Sequence, residues 1–108
     1  MAPLEYLITG ATGVLGSAVL EYFLSHGIPI SSIAVASSQA SAEPDFRARG
    51  LQFRLVDYSL PETLELAFKN VENLYFVSSA AYDTETRVKQ HGNVAEAAKK
   101  MEVKHVSF

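Results

Sequence analysis

The chain has 108 residues, 48% hydrophobic and 19% charged, with a net charge of -3, which suits one globular domain near the low end of sizes that bury a self-sufficient core. That charge argues against a general nucleic-acid binder, which needs surplus Lys and Arg to release counterions, and the lack of cysteine rules out disulfides and thiolate metal sites. No apolar stretch approaches the roughly 20 residues of a membrane span. Met1-Ala2-Pro3-Leu4-Glu5 has no basic leader region, so the expectation is a cytoplasmic protein with a small-molecule partner.

Leu4 to Thr9 is an apolar run between Pro3 and Gly10 and reads as a fully buried parallel strand. The glycine-rich turn Gly10-Ala11-Thr12-Gly13-Val14-Leu15-Gly16 follows and opens a helical pattern from Ser17. Val14, Leu15, Ala18, Val19, Tyr22 and Phe23 recur at helical spacing, which predicts a stripe facing the sheet. Gly27 is placed at the C′ position of this helix, and Pro29 prevents it from resuming. Ser32 to Ala36 is the second strand, and Ser37 to Pro44 is small and polar, hence an exposed loop. A short helix is expected around Asp45 to Ala48. Leu51 to Val56 alternates apolar and polar residues, as a strand nearer the sheet edge does.

Ser59-Leu60-Pro61-Glu62 has a capping-box arrangement, and the helix it starts carries Leu64, Ala67 and Phe68 on one face and stops near Asn70. Asn73 to Ser78 is the fourth strand, followed by a loop to Asp83. From Thr84 to Met101, Val88, His91, Val94, Ala95, Ala98 and Met101 keep helical spacing, with Glu96 and Lys100 as an i,i+4 pair on another face. Lys104 to Phe108 begins a fifth strand. Strands alternating with helices predict an α/β, Rossmann-like, doubly wound parallel sheet in the order 3-2-1-4-5, one domain over 1–108. A doubly wound sheet covers its last strand with a further helix, so the sheet reads as truncated after strand five, with an uncovered edge prone to self-association.

In a G-x-x-G-x-x-G turn between strand and helix, the first glycine makes the tight exit, the second admits close backbone approach, and the third packs helix on strand. Gly10, Gly13 and Gly16 fit these roles, so backbone N–H groups and the helix dipole converge where a pyrophosphate binds. The same turn would also serve packing alone in a chain that binds nothing. Cofactor choice is made at the end of the second strand, where an acid takes a ribose 2′-hydroxyl and an Arg a 2′-phosphate. Ala36-Ser37-Ser38-Gln39 offers neither, so discrimination is expected to be weak, leaning to NADP over NAD because no acid repels a 2′-phosphate. Asp57 suits the adenine amino group, but Asp57 or Ser59 equally suits the cap of the next helix. Ser78 and Ser79 fall beside the expected crevice, where they line a cofactor ribose or a solvated strand end. His91 reads as a packed structural residue, and His26, His91 and His105 share no metal-ligand spacing.

Thr9-Gly10-Ala11-Thr12-Gly13-Val14-Leu15-Gly16, with Gln90-His91-Gly92-Asn93-Val94 and Ala97-Ala98-Lys99, resembles the NmrA-like branch of the atypical short-chain dehydrogenases/reductases. The chain looks most like the NAD(P)H:quinone reductases of that branch, over their N-terminal portion. The resemblance implies Gly10, Thr12, Gly13, Val14, Leu15 and Gly16 around the phosphates. It also implies Asp57 and Tyr58 on the adenine side, and Ser78 and Ser79 on the nicotinamide-ribose side. NADPH-preferring members commonly carry Arg where Ser37 stands, and the Tyr-x-x-x-Lys pair of typical short-chain dehydrogenases is absent, so no catalytic residue is named. Two functions follow as expectations. One is the cofactor-binding part of an NAD(P)H-dependent oxidoreductase, with quinones as the substrate class the resemblance implies, whose later strands and C-terminal substrate lobe lie outside this chain. The other is a non-catalytic NAD(P)-binding sensor or truncated paralogue.

Overall fold

A computed structural model describes residues 4–76 and 84–107. Its parallel sheet has the strands β1 (Leu4–Ile8), β2 (Ile33–Ser37), β3 (Gln52–Leu55), β4 (Val71–Tyr75) and β5 (His105–Ser107), in the order β3-β2-β1-β4-β5. The helices are α1 (Val14–Ser25), α2 (Glu43–Ala48), α3 (Pro61–Phe68) and α4 (Thr84–Lys100). Register is set by pairs such as Leu7 with Ala34 and Leu7 with Leu74, which seat β1 between β2 and β4. The expected strand order is therefore the observed one.

Each face of the sheet has its own core. Leu7, Leu74 and Val71 meet Leu64, Ala67 and Phe68 of α3 and Val94, Ala97 and Ala98 of α4. On the other face Ile8, Ile33, Val35 and Phe53 meet Leu20 and Phe23 of α1, with Phe46 of α2 at the margin. Burying a side chain such as Phe68 or Leu20 contributes about 1.5–3 kcal/mol, which is why these contacts decide the way each helix faces. Every residue of β2 is buried, as a strand flanked by strands and covered by helices must be.

Several boundaries and faces differ from the sequence expectation. α1 begins at Val14, inside the glycine turn, and its inward residues are Gly16, Leu20 and Phe23. Val14, Leu15, Ala18 and Tyr22 of the expected inward stripe are instead exposed, Val14 at 92%. Apolar spacing alone does not orient this helix, because Gly16 is what touches the sheet end. The end of α1 is as expected: Gly27 has φ +81 and the Ile28 N–H donates to the Phe23 carbonyl. The loop after β2 is partly helical, with a single turn at Ala40–Ala42 running into α2.

Ser59 does not cap α3. The N-cap is Leu60, without a side-chain bond, while Thr63 Oγ1 donates to the Leu60 carbonyl at 2.7 Å and accepts the Asp57 N–H at 3.0 Å. β4 starts two residues earlier than expected, and on α4 Val88 and Ala95 are exposed while Ala97 turns inward. Lys100 pairs across to Glu65 of α3 at 2.8 Å rather than with Glu96, since the two helices pack side by side. No described helix is long and apolar enough to cross a membrane.

Candidate functional site

β1 hands the chain to the glycine turn at the point where its two neighbours diverge. The Thr9 N–H donates to the Tyr75 carbonyl of β4 at 3.0 Å, whereas the Ala11 N–H, two residues on, donates to the Ala36 carbonyl of β2 at 3.3 Å. The turn thus sits over the carboxyl ends of the strands at the switch point, where an open α/β sheet has its crevice. Gly10 turns the chain with φ +64, a conformation costly for a residue with a Cβ. The Gly13 N–H donates back to the Gly10 carbonyl at 3.0 Å, and the first helical bond runs from the Ser17 N–H to the Gly13 carbonyl.

Val14, Leu15 and Gly16 are then the first residues of α1, whose N–H groups have no acceptor within the helix. α1 has no side-chain cap and no acidic residue in its first turn, so nothing on the helix competes with an incoming anion. Gly16 brings helix and turn together. A Cβ there would stand 2.0 Å from the Gly10 oxygen, and one on Gly13 would stand 3.3 Å from the same atom. Two N-terminal glycines and an uncapped helix start fit a dinucleotide pyrophosphate.

The Thr12 and Ser37 hydroxyls lie 3.1 Å apart, and Ser37 Oγ also accepts the Gln39 N–H at 3.0 Å. Ser37 is only 2% exposed, so its hydroxyl faces the turn rather than solvent; Ser38 beside it is exposed. Asp57 is exposed, and its Oδ1 accepts the Ser59 N–H at 2.9 Å, which shapes the loop without capping α3. Tyr58, expected on the adenine side, has its side chain under the turn, 9% exposed. Its hydroxyl lies buried against the Thr9 side chain and the Gly10 backbone, and neither contact has the geometry of a full hydrogen bond. Burial pushes the Tyr58 phenol above its usual range, and the Thr9 and Gly10 contacts oppose that rise.

α4 steadies this arrangement from one side. Asn93 Nδ2 donates to the Tyr58 carbonyl at 2.9 Å, and Gln90 Nε2 reaches Ser59 Oγ at 3.4 Å. The Tyr58 ring meets Phe76 edge to face at 5.6 Å, and Phe76 meets His91 in the same way at 5.0 Å. Thr9, Gln90 and Asn93 carried no assigned role in the sequence. The i,i+3 spacing of the two amides on one helix face was the signal available for them. Ser78 and Ser79 lie outside the described residues. Among those described, no cluster of His, Asp or Glu could hold a metal ion.

Comparison with known proteins agrees with this geometry. Residues 5–108 match the model of the NmrA-like family. An NmrA-like family domain-containing oxidoreductase of Aspergillus flavus is 50% identical over 107 residues, covering 97% of this chain and 34% of the relative. The crystal structure of Citrobacter sp. triphenylmethane reductase complexed with NADP(H) superposes with a TM-score of 0.90 at 34% identity, covering 94% of this chain and 35% of that one. The NADPH-dependent quinone oxidoreductase of Escherichia coli, complexed with NADPH, gives 0.84 at 35% identity, again over 94% of this chain and 35% of the other. This chain thus spans about a third of the length of these relatives.

Proposed function

From the premise that this chain belongs to the NmrA-like family, we propose that it is the NADP(H)-binding domain of an oxidoreductase, able to accept NAD(H) as well. The carrying observation is the uncapped start of α1, with Gly10, Gly13 and Gly16 closing the turn at the switch point. Two relatives of the same fold were solved with NADP(H) or NADPH bound, which supports the choice of ligand. The N–H groups of Val14, Leu15 and Gly16 would meet the pyrophosphate, Ser37 and Ser38 the adenosine ribose, and Asp57 the adenine; Thr12, which the family resemblance puts beside the phosphates, lies 3.1 Å from Ser37 and would join it at the ribose. Tyr58 would hold the turn from beneath. Ser78 and Ser79 would line the nicotinamide ribose.

When bound, the cofactor supplies hydride; the residues here bind and orient it. The acceptor would be a small molecule such as a quinone, the acceptor class of the Escherichia coli relative. We place the protein in the cytoplasm, in keeping with its lack of cysteine. A second reading is an NAD(P)-binding sensor without catalysis.

NADPH titration followed by nicotinamide fluorescence tests the binding reading. Binding should saturate, and Gly13→Val should abolish it while leaving far-UV helicity intact, because valine methyls would project into the pyrophosphate cradle. Unchanged affinity in Gly13→Val would refute the cradle. NADPH oxidation with a quinone acceptor bears on the second reading: turnover by the chain would exclude the sensor.

A further inference from the structure

The proton count at the end of β2 is informative. A hydroxyl has one donor and two acceptor positions. Ser37 Oγ accepts the Gln39 N–H, which leaves it one acceptor position and its own proton, and Thr12 Oγ1 is 3.1 Å away. Were Thr12 to donate to Ser37, the Ser37 proton would be left without an acceptor in a setting only 2% exposed. A buried donor is rarely left unmatched when an acceptor lies within hydrogen-bond geometry, as Thr12 Oγ1 does here. Ser37 therefore donates to Thr12, and the proton left over belongs to Thr12, whose side chain is exposed at the mouth of the turn.

The position of that proton matters because the end of β2 is where a dinucleotide-binding sheet meets the 2′ substituent of the adenosine ribose. The arginines of the neighbouring elements are committed elsewhere. Arg47 pairs with Glu43 at 2.6 Å, Arg49 with Glu21 at 2.7 Å, and Arg54 donates to the Ala67 and Lys69 carbonyls. Neither the second-strand end nor its loop to Ala42 carries an acid that would repel a phosphate.

Resting on the cofactor reading above, we infer that Thr12, held by the buried Ser37, is the specificity-determining donor to the 2′ substituent, and that this chain takes both NADPH and NADH with a modest preference for NADPH. The preference arises because Thr12 donates to a charged oxygen in one ligand and a neutral oxygen in the other. Hydrogen bonds to charged acceptors are the stronger by a margin that corresponds to about five- to tenfold in affinity.

Dissociation constants for NADPH and NADH, measured on the intact chain and on Thr12→Val and Thr12→Ser, test this. The wild type should bind both, NADPH about five- to tenfold more tightly. Thr12→Val should weaken NADPH more than NADH and bring the two constants together, whereas Thr12→Ser, which keeps the hydroxyl, should retain the wild-type ratio. A purely structural role for Thr12 would weaken both ligands equally and leave the ratio alone, and that result overturns the inference. So does loss of the ratio in Thr12→Ser, or a wild-type preference beyond about a hundredfold, which a neutral donor does not supply. If the wild type binds neither ligand, the cofactor reading itself fails. If it binds both and only the Thr12→Val ratio is unmoved, the cofactor reading stands and Thr12 does not select.

Discussion

Replacing Gly16 by alanine is expected to destabilise the chain, although alanine is the better helix former. The new Cβ would sit 2.0 Å from the Gly10 oxygen, 2.6 Å from its carbonyl carbon and 3.1 Å from the Ala11 Cα, all backbone atoms. No rotamer change relieves such contacts, so the start of α1 and the turn must separate by an ångström or more. The Gly10 carbonyl is also the acceptor of the Gly13 N–H, and separation strains that bond. Overpacking of this kind costs about 1–3 kcal/mol and sometimes more, and backbone crowding puts Gly16 at the upper end. Against it stands the helix-propensity gain of alanine over glycine, about 1 kcal/mol. A net loss of about 2 kcal/mol is a sizeable part of the roughly 5–15 kcal/mol available to a small domain and corresponds to a fall in Tm on the order of 10 °C. Gly92 supplies the internal control. It lies within α4, is exposed, and an added Cβ there meets nothing within 4 Å. Gly92→Ala should therefore stabilise the chain by about 0.5–1 kcal/mol. Urea unfolding followed by far-UV CD, with the slope checked for constancy, reads both variants. Equal shifts, or a Gly16→Ala midpoint at or above the wild type, would refute the close approach of turn and helix.

Two further outcomes follow from the same geometry. Tyr58 is buried with its phenol pKa raised from 10.0, so its contribution to stability is complete below about pH 10 and is lost as pH rises through the folded-state value. Tyr58→Phe should unfold at a similar or slightly higher urea concentration at neutral pH, since the buried hydroxyl forms no full hydrogen bond, and should lose stability less steeply above pH 10. Parallel alkaline slopes for the two proteins would sink this account. We also expect self-association along β5, an edge of the described sheet with His105 and Ser107 exposed. Sedimentation equilibrium should show mass rising with concentration, and a monodisperse monomer throughout would contradict it.

The sequence by itself determined the order of elements and the place of the turn. Apolar runs at Leu4 to Ile8 and Ile33 to Ala36, with helical spacing between them, allow only a parallel crossover. Gly10, Gly13 and Gly16 mark the strand-to-helix exit because few other residues tolerate it. The face of each helix was decided by tertiary packing. Val14, Leu15 and Tyr22 have the spacing of an inward stripe, but the close seat of Gly16 on Gly10 rotates Leu20 and Phe23 inward and leaves the others exposed. Lys100 likewise chose Glu65 on α3 over Glu96 one turn away, a contact no local pattern encodes. At the site, the sequence marked Thr12, Ser37 and Tyr58 as residues of interest. Only the packed sheet set Ser37 facing Thr12 across 25 positions of sequence and turned the Tyr58 hydroxyl beneath Gly10. Hydrogen-bond direction depends on what is buried, and burial is a property of the assembled layers, not of neighbours along the chain.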